Sequence, residues 1–147
     1  MDYTTLIAQV RALTEGVPHP IANLANVSAA IWQAMERINW AGFYLMEQGK
    51  LVLGPFQGKP ACIEIPVGKG VCGTAVQEAT TILVKDVHQF PGHIACDSAS
   101  NSEIVIPIFK NGEIYGVLDI DSPYFARFTG EDQRGLEAIV KVLEESL

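Results

Sequence analysis

Asn111-Gly112 stands between two apolar runs, Ser102 to Phe109 and Glu113 to Asp121. Asn-Gly accepts the positive φ angles that a two-residue hairpin turn demands, so the two runs are expected to pair as an antiparallel hairpin. A hairpin with an apolar face must be covered by other elements, which commits the chain to a sheet with something packed on it. The turn also brings charges together. Glu103 lies nine positions before Gly112 and Asp119 seven positions after it. Period two puts Asp119 and Asp121 on one face. Three carboxylates therefore gather at one end of the hairpin.

The rest of the chain supplies the cover. Residues 3–15 carry Leu6, Ile7, Val10 and Leu13 at helical spacing, ended by Gly16 and Pro18. Residues 20–38 open on Pro20 and place Ile21, Leu24, Ala25, Val27, Ile31, Trp32 and Met35 in a second helical pattern. The period then changes. Trp40 to Met46 and Lys50 to Phe56 are short apolar runs about Glu47-Gln48-Gly49, and Cys62-Ile63-Glu64-Ile65 alternates like a third strand. Val71 leads into a short helix ending near Thr80, and Thr81 to Val84 is a strand. Residues 85–102 form a long irregular loop, which in a compact domain is usually functional. Thr129 can cap a last helix, with Glu131 and Asp132 in its first turn. The expectation is one α+β domain over 1–147, with a central antiparallel sheet covered by helices and no repeat or linker.

Composition narrows the function. The chain has 147 residues, 48% of them hydrophobic and 18% charged, which suits a buried core rather than disorder. A net charge of −7 with scattered lysines and arginines leaves no basic stripe, so nucleic acid and anionic membrane surfaces are not expected partners. The first 20 residues hold no signal-peptide core, and no apolar run approaches the roughly 20 residues of a membrane span. The expected compartment is the reducing cytoplasm, where cysteines start as thiols.

There are three cysteines, Cys62, Cys72 and Cys96. Their spacing is neither C-x-x-C nor a zinc-finger pattern. Cys96 lies in a polar segment from Pro91 to Glu103, better placed for chemistry than for packing. Cys62 falls near a loop. Cys72 opens a glycine-rich turn into a helix, and the reading as a small buried hydrophobe stays open for it. Clustered carboxylates at Glu103, Asp119 and Asp121 suit a metal, an ammonium group, or a carboxyl kept protonated as a general acid. A solvated strand end is the plain alternative. A hard metal wants more oxygen ligands and no thiol nearby, so no metal is expected. Trp40 and Tyr44 share a face and suit an amphipathic ligand. His88 and His93 receive no catalytic role.

Several blocks carry a more specific signal: Asn39-Trp40-Ala41-Gly42-Phe43-Tyr44, Leu53 to Cys62, Gly68-Lys69-Gly70-Val71-Cys72-Gly73, Asp86 to Glu103, and Gly116 to Pro123. Together they closely resemble the free methionine-(R)-sulfoxide reductases, GAF-domain enzymes acting on the free amino acid. The resemblance spans essentially the whole chain. It implies a six-stranded antiparallel sheet with helices packed on one face, and reduction of free L-methionine (R)-S-oxide without a cofactor. It further implies Cys96 as nucleophile, Cys62 as resolving cysteine and Cys72 in an accessory or alternative resolving role. Trp40 and Tyr44 become the pocket wall, and Glu103, Asp119 and Asp121 the carboxylates that hold the substrate and assist its protonation. Thioredoxin or a similar dithiol is the implied reductant, and a homodimer the implied assembly. A small-molecule-binding GAF sensor, or a thiol redox sensor without turnover, is the rival reading.

Overall fold

The computed structural model describes residues 1–93 and 98–147. Its elements are α1 (Tyr3–Thr14), α2 (Pro20–Ala34), β1 (Trp40–Glu47), β2 (Lys50–Gly58), β3 (Glu64–Pro66), α3 (Gly70–Glu78), β4 (Ile82–Val84), β5 (Ser102–Lys110), β6 (Glu113–Ser122) and α4 (Gly130–Glu145), with a 3-10 turn at Val87–Gln89. The six strands form one antiparallel sheet in the order β3-β2-β1-β6-β5-β4.

Alternation along the central strands divides the core into two layers. Ala41, Phe43, Ile104, Ile106, Leu118 and Ile120 face one way and are buried against Leu6, Val10, Leu24, Ile31, Leu136 and Ile139 of α1, α2 and α4. The three long helices thus cover one face, as the resemblance implied. Trp40, Tyr44, Val105 and Val117 face the other way and meet Val71, Cys72 and Ala75 of the short helix α3. That second face holds the candidate site. Among the described residues no helix is long and apolar enough to cross a membrane.

The hairpin turn forms at Asn111 (φ 54°) and Gly112 (φ 80°), where Lys110 faces Glu113. An irregularity between Ile108 and Phe109 then shifts the register, so that Ile108 faces Gly116 while Phe109 faces Ile114. Tyr115 is the extra residue. Such a bulge moves all later pairs by one position, and a one-residue slip exchanges the two faces of a strand. Because of it Glu103 faces Asp121 and shares the α3 side of the sheet.

Two expected boundaries move. The second helix ends at Ala34, short of residue 38, and Arg37 takes a positive φ of 60°. The Glu36 carbonyl accepts from Nε and Nη2 of Arg127, and the Arg37 carbonyl accepts from the Ser122 hydroxyl, so long-range donors replace further helical turns. The third strand starts at Glu64 rather than Cys62. Residues before it run as coil, with the Lys59 and Cys62 carbonyls taken by side chains of β1.

Candidate active site

Antiparallel register assembles the acidic cluster. Glu103 of β5 faces Asp121 of β6, which on its other side faces Trp40 of β1, and Asp119 lies two residues along β6 on the same face. Tyr44 is two pairs further along β1, opposite Val117. Gly42, between Trp40 and Tyr44, faces Asp119 across one strand and Phe56 across the other. A Cβ at Gly42 would run into the backbone and Cβ of Phe56, so glycine is required there. Phe56 instead stacks on Trp40 with ring centroids 5.1 Å apart, and Trp40 stacks on Tyr44 at 5.8 Å.

The two aromatic side chains also anchor the cysteine segment. Trp40 Nε1 donates to the Lys59 carbonyl at 3.1 Å and the Tyr44 hydroxyl donates to the Cys62 carbonyl at 2.9 Å. Cys62 is half-buried and disulfide-bonded. Cys72, in the first turn of α3, is buried and a free thiol.

One cavity collects these groups. It has a volume of about 40 Å³ and is lined by Trp40, Tyr44, Cys72, Glu103, Asp119 and Asp121, with His93, Ser100, Ile65, Lys69, the Pro60-Ala61 segment and the Gly70-Val71 start of α3 making up the rest of the wall. Of the eight residues singled out from sequence, the structure brings six to this lining and places Cys62 beside it, its carbonyl held by a lining residue. Cys96 lies outside the described residues. His93 had no catalytic role from sequence, yet it lines the cavity. Its segment is tied to the start of α3 by the Gly70 N–H donating to the Gly92 carbonyl at 3.2 Å, a contact without local signature. His88 sits further out, its Nε2 2.8 Å from Asn101 Oδ1.

Burial governs the electrostatics. Glu103 is 7% exposed and its carboxyl is held well above the usual range, first by burial and then by the charges of Asp119 and Asp121. Asp119 is also raised by burial, but hydrogen bonds from Glu103 and Cys72 pull the other way. Glu103 is therefore the member best suited to carry a proton near neutral pH, with Asp119 as its acceptor. The Cys72 thiol is pushed up by burial and then by Asp119 and Glu103. The α3 N-terminus would favour a thiolate at Cys72, but desolvation and two carboxyls win. His93 is lowered, by burial and then by His88, which favours a neutral imidazole. The Tyr44 phenol is raised by burial and so stays a donor. This cavity offers an aromatic wall, a proton-bearing acid, carboxylates for a cation and a neutral base.

Comparison with known proteins places this arrangement. The GAF domain family model matches residues 12–147. The free methionine-R-sulfoxide reductase of Escherichia coli is 55% identical over 99% of this chain and 88% of its own length. The one from Saccharomyces cerevisiae is 45% identical over 96% and 83%. Among solved structures, fRMsr of Staphylococcus aureus in complex with substrate superposes with a TM-score of 0.96 at 57% identity, over 99% of this chain and 95% of that one. The chain belongs to the GAF domain family, within its free methionine-R-sulfoxide reductase branch. GAF domains of phosphoenolpyruvate-protein phosphotransferases, 14–18% identical, share the fold alone.

Proposed function

We propose that this protein reduces free L-methionine (R)-S-oxide to L-methionine, with residues 1–147 acting as one catalytic unit. The observation that carries the reading is the convergence, in one cavity, of Glu103, Asp119 and Asp121 with the Trp40–Tyr44 wall beside disulfide-bonded Cys62. A sulfoxide is a poor electrophile until its oxygen is protonated. Glu103, kept neutral by burial, supplies that proton. The aromatic wall takes the thioether and methyl, and Asp119 and Asp121 meet the ammonium group.

Cys96 is the nucleophile in this reading. Its thiolate attacks the substrate sulfur, the S–O oxygen passes to Cys96, and methionine departs with sulfur reduced. Cys96 is left as sulfenic acid, oxidised by two electrons. His93, three residues earlier in sequence and held neutral, is suited to accept the thiol proton. The Cys62 thiol then attacks the sulfenic acid, water leaves, and a Cys62–Cys96 disulfide forms. Support for that pairing is that Cys62 is bonded while Cys72 stays a free thiol. Cys72 acts as an accessory, donating to Asp119. Thioredoxin or a similar dithiol restores both thiols by exchange, becoming a disulfide itself. The reading includes a homodimer in the cytoplasm.

The test supplies racemic free methionine sulfoxide with a thioredoxin reducing system. The expected result is consumption of reductant equal to the (R) half of the substrate. Binding without reductant consumption makes the protein a sensor instead.

A further inference from the structure

Cys72 Sγ, one Glu103 carboxylate oxygen and one Asp119 carboxylate oxygen all lie within 4.8 Å of one another, and all three residues are buried. We propose that these three side chains form an inhibitory binding site for a thiophilic divalent cation of the zinc group, which competes with substrate for the cavity. Ligand atoms around a tetrahedral zinc ion, bonded at about 2.0–2.3 Å, are roughly 3.5 Å apart. Closing from 4.8 Å or less needs about 1 Å of side-chain adjustment, with no movement of strands. The cluster is supported by a second observation. Oδ1 of Asp119, a residue only 5% exposed, has no hydrogen-bond partner among the described residues, and Asp119 lines the cavity. A cation bound there gives that oxygen a partner.

The donor set selects the ion. One thiolate and two carboxylates suit zinc or cadmium, whereas calcium takes six to eight oxygens and magnesium holds its waters. His93 lines the same cavity without belonging to the cluster, which leaves the fourth position to water. A volume of about 40 Å³ has room for an ion and a water. Because Cys72 and Glu103 must shed their protons to bind, uptake of the ion releases protons. Binding stands on this geometry. Exclusion of substrate rests on the sulfoxide reading, because the ion takes the same Glu103 and Asp119.

The experiment titrates Cd²⁺ into the oxidised protein, where Cys62 is bonded, and follows the thiolate-to-cadmium absorption in the ultraviolet. One equivalent should develop the band with proton release. Cys72→Ser should abolish it, and Glu103→Gln should weaken the affinity at least tenfold. In a single turnover by reduced protein freed of dithiol, Zn²⁺ should suppress methionine formation and a chelator should restore it. No band, a band surviving Cys72→Ser, a Glu103→Gln variant that binds as wild type, or a turnover indifferent to Zn²⁺ overturns the proposal. Metal-free turnover tests the reductase reading separately: if it yields no methionine, that reading fails while the cadmium titration still decides the site.

Discussion

Replacing Glu103 by glutamine should move activity and stability in opposite directions. The amide keeps the size of the side chain and its hydrogen-bonding reach toward Asp119, but it delivers no proton to a sulfoxide oxygen. General-acid catalysis contributes roughly 10²–10⁴ in rate, so kcat should fall by about that factor. Stability follows linkage. The folded-state pKa of Glu103 is raised by burial, so its contribution is fully present below the unfolded carboxyl pKa. It is lost as pH rises, at about 1.4 kcal/mol per pH unit, until the folded pKa is passed. Glutamine titrates nowhere, so the variant should lose one proton's worth of that slope and become the more stable protein toward alkaline pH. Asp119, also raised, leaves its own slope in both. Urea midpoints at pH 5 to 8, beside steady-state reduction of free methionine-(R)-sulfoxide, read both effects. Wild-type kcat in Glu103→Gln, or an unchanged pH slope, refutes the reasoning.

Two further substitutions probe the frame around the cavity. Tyr44→Phe removes the donor to the Cys62 carbonyl. The loss should cost roughly 1 kcal/mol, a drop of about 2–4 °C in Tm, and should slow disulfide formation in rapid-quench experiments more than it raises KM. Equal disulfide rates in wild type and variant remove the anchoring role. Gly42→Ala drives a methyl into Phe56, so β1 and β2 must separate; about 1–3 kcal/mol of stability should be lost, measured as a lower urea midpoint, and an unshifted midpoint contradicts the packing.

The parts of the site encoded locally were legible. Asn111-Gly112 announces its own turn, and alternation alone puts Asp119 and Asp121 on a common face. Glu103 is different. Continued past the turn without interruption, the register would set it opposite Ile120 on the helix-covered face. The bulge at Tyr115 corrects this, and no apolar period reveals a bulge. Cys62 reads as strand because Cys62-Ile63-Glu64-Ile65 alternates, yet Tyr44 claims its carbonyl. The end of α2 is set by Arg127 and Ser122, about ninety residues downstream, and helical spacing through Met35 gives no hint of them. His93 reaches the cavity through a backbone contact to α3, which is equally nonlocal. Cys96, the residue most emphasised by its polar setting, lies outside the described residues, so its role rests on sequence and on the family.

That role is the one to measure. Reduced Cys62→Ser protein, free of small thiols, is mixed with excess free methionine-(R)-sulfoxide in the presence of a sulfenic-acid trap, and the products are mapped by peptide mass spectrometry. The account predicts one methionine per protein and the trap on Cys96. Methionine formed with Cys96 unmodified, or continued turnover without an external dithiol, would contradict it.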